Sequence, residues 1–120
     1  MILTGMRWIS FRIFPVLFFL LFTLPPLSEA STPKIFSLSI KDHRFHPDLI
    51  NAQKNQPFTI HVTNNDDHPE EFESYDLEFE IIILPHRSID VPIRPLPSGS
   101  YEFFGDFHPR TAKGLIKIAP

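Results

Sequence analysis

Phe58-Thr59-Ile60-His61-Val62 alternates apolar and polar side chains at every step, the period of two that turns one side of a strand to a core and the other to water. The same rhythm recurs upstream, where Phe36, Leu38 and Ile40 alternate with Ser37 and Ser39, and downstream, where Ile89, Val91 and Ile93 alternate with Ser88, Asp90 and Pro92. Phe79 to Leu84 and Leu115 to Ile118 are short apolar runs rich in Ile, and Tyr101 to Phe104 is an aromatic run after the turn residues Pro97-Ser98-Gly99. No ten-residue window carries a helical stripe. Pro47, Pro57, Pro69, Pro85, Pro95, Pro97 and Pro109 fall mostly between the runs, where they punctuate turns or mark edges. Six or seven short strands at this spacing predict an all-β domain, a sandwich or a small barrel. Phe45, Phe58, Phe72, Phe79, Tyr101 and Phe103 are its expected core aromatics.

Toward the N-terminus the pattern changes. Arg7 and Arg12 lead into the twelve-residue apolar run Ile13 to Leu24, which is followed by Pro25-Pro26-Leu27-Ser28-Glu29-Ala30. This reads as a secretory signal peptide over residues 1–30, cleaved after Ala30. Twelve residues fall short of the ~20 that cross a bilayer, so stable membrane insertion is not expected after its removal. Residues 31–120 then form one small domain. Loss of Arg7, Arg12 and Glu29 takes the net charge from −3 to −4, which excludes a basic nucleic-acid footprint. The chain has no Cys. An exported domain of this size without disulfides needs a well-packed sheet or a bound ion, and thiolate chemistry is excluded.

Between Asp66 and Glu80 there are eight acidic residues and no Lys or Arg. In an extended segment Glu71 and Glu73 share one face, as do Glu78 and Glu80, and farther on Asp106 and His108. Carboxylates with one imidazole and no sulfur suit Fe(III), Cu(II), Mn(II) or Ca(II) more than Cu(I). Composition leaves two readings open, a metal site and a solvated acidic loop. Glu80 precedes Ile81-Ile82-Ile83 and is expected to be partly buried, paired with Arg110 or Lys113 if it holds no metal. Should Glu71, Glu73 and Glu80 converge near His108, at least one carboxyl pKa must be raised. His43 and His46 are candidates for a second metal site near the acidic stretch, whereas His61 belongs on a solvated strand face and His68-Pro69 in a turn.

Asp42-His43-Arg44-Phe45-His46-Pro47, Asn64-Asn65-Asp66 with Glu71-Phe72-Glu73-Ser74, Pro95-Leu96 before Pro97-Ser98-Gly99-Ser100-Tyr101, and above all Phe104-Gly105-Asp106-Phe107-His108-Pro109-Arg110-Thr111-Ala112-Lys113-Gly114 resemble the EfeO-type cupredoxin-like family. The resemblance runs from about Ile35 to Ile118 and implies a Greek-key β-sandwich, located in the periplasm and associated with iron uptake that also involves copper. Laid against electron-transfer cupredoxins, it puts Glu71 at the first His ligand, and Gly105, His108 and Ala112 at the Cys, His and Met of the closing loop. Only His108 is retained, so a type 1 blue-copper centre is excluded. The resemblance leaves an oxygen-rich site of Glu71, Glu73, Glu80, Asp106 and His108, with Asp42 and Asp76 as outer candidates.

The sequence is therefore expected to encode a periplasmic metal-binding protein for iron or copper acquisition or delivery, holding a transition-metal ion such as Fe(III) or Cu(II). Its expected partner is a membrane iron permease system or another periplasmic metal-uptake protein. No nucleophile and base pair has motif support, so it is not expected to be an enzyme. The competing reading is a metal-free β-sandwich whose acidic loop binds a partner protein.

Overall fold

The computed structural model describes Gly5, residues 24–28 and residues 31–120. The expected signal peptide lies for the most part outside these residues. The chain divides into two units at Ala30/Ser31, and the fold described is that of the second.

Its nine elements are all strands: β1 (Lys34–Lys41), β2 (Arg44–His46), β3 (Leu49–Ala52), β4 (Phe58–Asn64), β5 (Glu70–Ser74), β6 (Phe79–Ile83), β7 (Ser88–Ile93), β8 (Gly99–Gly105) and β9 (Lys113–Ile118). They form a four-stranded sheet in the order β2-β1-β4-β7 and a five-stranded sheet in the order β3-β9-β8-β5-β6. The result is the expected all-β, Greek-key sandwich. Among the described residues no helix is long and apolar enough to cross a membrane.

The alternation that predicted β1, β4 and β7 sorts their side chains as expected. Leu38, Ile40, Phe58, Ile60, Val62, Val91 and Ile93 are buried between the sheets. His61 lies on the outer face, its Nδ1 2.6 Å from Asp90 Oδ1 across the β4–β7 pair. The opposite sheet supplies Phe72, Ile83, Phe103, Ile116 and Ile118 to the same core. Phe72 and Phe103 pack with ring centroids 5.5 Å apart at 82°, the edge-to-face arrangement that aromatic quadrupoles favour.

Two of the nine strands escape a period-two reading because they are too short, β2 with three residues and β3 with four. β5 lies inside the acidic stretch, and there the alternation separates two functions. Glu70, Phe72 and Ser74 point inward and are almost fully buried, at 1%, 0% and 1% exposure. Glu71 and Glu73 point to the other side, where Glu73 stands directly opposite Glu80 of β6.

Candidate metal centre

The β1–β2 hairpin turns through Asp42 and His43, whose φ angles are 51° and 56°. Two consecutive left-handed residues in a two-residue loop suit the twist of the flanking strands but favour Asn and Gly. This turn has neither. Instead Asp66, from the loop after β4, accepts the Asp42 N–H at 2.8 Å on Oδ1 and the His43 N–H at 2.9 Å on Oδ2. Asp66 is itself anchored, since its N–H donates to Asn64 Oδ1 at 3.0 Å. Asn64 is fully buried and donates from Nδ2 to the carbonyls of His68 and Ile83. Burial alone would raise the Asp66 pKa, but the His43 and Asp42 N–H groups, with the charges of His43 and Lys41, outweigh it and hold the carboxyl below its usual value. The sequence thereby locks a strained turn and fixes the position of His43.

Glu70 comes from the opposite sheet. Its Oε1 accepts the N–H groups of Glu71 at 3.1 Å and Phe107 at 3.0 Å, and its Oε2 lies 2.7 Å from His108 Nδ1. A carboxylate at 1% exposure is tolerable only with partners of this kind. His108 is set by the tight loop between β8 and β9, where its N–H donates to the Gly105 carbonyl at 3.1 Å and its own carbonyl accepts the Ala112 N–H at 2.9 Å.

The two histidines meet. The His43 ring stacks on the His108 ring with centroids 3.6 Å apart and planes 14° from parallel, and the His68 ring stands 5.9 Å from that of His43. His43, Glu70 and His108 each offer one ligand atom, all within 4.8 Å of one another. Two imidazoles and one carboxylate fit a borderline divalent ion such as Cu(II) or Zn(II) better than a soft Cu(I) ion.

A thiolate does not fit here. A Cβ on Gly105 would sit 2.6 Å from Glu70 Cδ, 2.7 Å from Glu70 Oε1 and 2.7 Å from Ala112 Cβ. The buried carboxylate fills the space that a cysteine side chain at this position would require.

The residues expected from the sequence thus fall into two groups. His108 belongs to the cluster just described, in which Glu70, rather than Glu71, is the carboxylate beside it. Glu71, Glu73, Glu80 and Asp106 gather on the outer face of the five-stranded sheet. There a hydrogen bond shared with Glu80, then burial, then the charges of Glu80, Asp106 and Glu73 push the Glu71 carboxyl up to about 7. The Glu73 carboxyl is raised by burial and by Asp106 and Glu80. The raised carboxyl expected from convergence is present, without His108. Glu80 is exposed rather than partly buried, because it takes the outward position of the Ile81-Ile82-Ile83 strand. Of the outer candidates, Asp42 contributes its N–H to Asp66, and Asp76 accepts the Glu102 N–H at 2.7 Å. His43, expected only for a secondary site, and Glu70, absent from the expected set, complete the cluster. Strand parity with Phe72 was the available signal for Glu70.

The fold and this donor set define a cupredoxin-like β-sandwich lacking the sulfur ligand of a type 1 centre. The chain belongs to the cupredoxin-like domain family, whose sequence profile matches residues 13–118. It is 47% identical over 81 residues to an uncharacterised protein of Rickettsia prowazekii (strain Madrid E), a match spanning 68% of this chain and 65% of the relative. Among solved structures it resembles auracyanin A, a blue copper protein of Chloroflexus aurantiacus, with TM-score 0.63 and 12% identity over 73% of this chain and all of that one. It also resembles the metal-binding domain of the Cu(I)-exporting P-type ATPase of Streptococcus pneumoniae D39, with TM-score 0.62 and 17% identity over 72% of this chain and 85% of that one. Both likenesses are of fold.

Proposed function

We propose that this chain is an exported metal-binding protein of the periplasm, EfeO-type within its family, which carries a single transition-metal ion in iron or copper acquisition or delivery. The observation that carries the reading is the convergence of His43, Glu70 and His108 within 4.8 Å at one end of a cupredoxin-like sandwich. The two imidazoles place Cu(II) above Fe(III) among its candidate ions, because nitrogen donors follow the Irving–Williams order while iron(III) prefers oxygen. In this reading the imidazoles of His43 and His108 and the carboxylate of Glu70 hold the ion. Asp66 sets the turn that presents His43, and the N–H groups of Glu71 and Phe107 orient Glu70. A membrane permease system or another metal-uptake protein is the proposed recipient, and the protein binds rather than catalyses.

One observation favours a second reading. Glu70 already has three partners of its own chain, so the pair it forms with His108 is complete without a cation, as in a metal-free interaction module. Calorimetric titration of the full chain with Cu(II), Zn(II) and Fe(III), repeated on His108→Ala, separates the two. Binding of one ion per chain that is lost in the variant supports the metal centre. No saturable binding leaves the metal-free module.

A further inference from the structure

The four edges of the two sheets are not alike. β2 has three residues and β3 four, and β7 carries Pro92, which offers no N–H. Short strands and proline are the devices that keep sheet edges from pairing with other chains. β6 has none of them. It is the five-residue edge strand Phe79-Glu80-Ile81-Ile82-Ile83, without Pro or Lys, and it pairs with β5 alone. Ile82 is 55% exposed, and Leu84, just past the strand, is 58% exposed.

The two sides of this edge ask for different side chains. On the inner side Phe79 and Ile81 pack against the core but remain only partly buried. On the outer side stands Glu80, with Glu73 directly opposite on β5, and the charges of Glu80 and Asp106 lie close enough to raise the carboxyl pKa values of Glu71 and Glu73. A strand laid along β6 would alternate its side chains between these two surroundings. Apolar residues would complete the burial of Phe79 and Ile81, and basic residues would meet the carboxylates, their methylene stems covering Ile82.

The geometry points to β6 as a docking edge for an extended segment of a partner protein in which apolar residues alternate with Lys or Arg. Main-chain hydrogen bonds to the open edge supply affinity, and the acidic face supplies selection for positive charge. This inference uses no metal and does not rest on the metal reading.

The probe is a synthetic eight-residue peptide alternating Val and Lys, compared with its Val/Glu counterpart, each added to the full chain. Amide hydrogen exchange and methyl shifts are followed by NMR. At a tenfold excess over its Kd the Val/Lys peptide should slow exchange of β6 amides by about tenfold and shift the methyls of Ile82 and Leu84, while the Val/Glu peptide should do neither. Glu80→Lys and, separately, Ile82→Lys should weaken binding at least about tenfold, roughly 1.4 kcal/mol. Glu80 is exposed, so its variant keeps the fold even if the other does not. The inference is overturned by absence of binding, equal binding of both peptides, protection centred on another strand, or wild-type affinity in Glu80→Lys. Protection of β6 that rises with protein concentration without peptide would also overturn it, since the occupant would then be a second copy of the chain.

Discussion

The imidazoles of His43 and His108 stack face to face although one is carried by the four-stranded sheet and the other by the five-stranded sheet. Stacking and ligation are separable by substitution. His43→Asn removes the ring while keeping a residue that tolerates the left-handed turn. Its Cu(II) affinity should fall by at least the ~10–100-fold that loss of a supporting group costs a metal site, with the Glu70–His108 bond retained. Glu71→Gln should bind Cu(II) as wild type does. If calorimetry gives the opposite pattern, the ion sits on the acidic outer face instead.

Asp66 is the second point of test. Asp66→Ala strips the acceptor from two N–H groups in a strained turn, and the expected loss is about 2–3 kcal/mol of stability by urea denaturation. Because its folded pKa is depressed, the stability Asp66 contributes is present above the unfolded value of 3.8 and lost as pH falls through the folded one. Wild type should therefore lose more stability than Asp66→Ala on acidification below about pH 4. Parallel stability curves in that range would show that the carboxylate does not hold the turn.

The outer acidic face predicts the opposite slope at higher pH. Glu71 is raised from 4.5 to about 7, so the folded chain holds that proton more tightly than the unfolded chain does. The stability it contributes is full below its ordinary pKa and disappears as pH climbs toward the folded value. Tm should decline between pH 4.5 and about 7 on account of this group, and Glu71→Gln should flatten the decline. Identical slopes in wild type and variant would refute the shared hydrogen bond with Glu80.

Gly105 offers a steric test. Gly105→Ala places a methyl 2.6 Å from the Glu70 carboxyl carbon, and overpacking of this kind costs about 1–3 kcal/mol. With Cu(II), wild type should show weak ligand-field absorption without an intense sulfur charge-transfer band, as no Cys is present. Gly105→Cys alone should remain as pale, because the carboxylate holds the space its sulfur would need. An intense blue colour in that variant would mean Glu70 moves aside freely.

Much of the fold was legible because β1, β4 and β7 repeat a strict alternation over six or more residues, enough for period two to stand out. The short strands β2 and β3 were not legible, since three or four residues define no period. The site was half legible. Resemblance and loop position led to His108, but Glu70 was hidden in a run of acids whose charge suggested water, although its parity with Phe72 required the core. His43 was hidden differently. Its place depends on a turn with no Gly or Asn, held by an Asp from another strand connection, and no local pattern encodes a partner so far along the chain.

The stacked histidines also bear on how the sandwich moves. At this end the two sheets are joined by a continuous string of polar contacts, from Asn64 to Asp66, to the hairpin turn, across the imidazole stack and into Glu70. The opposite sheets are thus riveted at one end in a chain that has no disulfide. An ion held between His43, Glu70 and His108, as proposed, would tighten that rivet, and its binding would be read as slower opening of both sheets together rather than as a change confined to one loop.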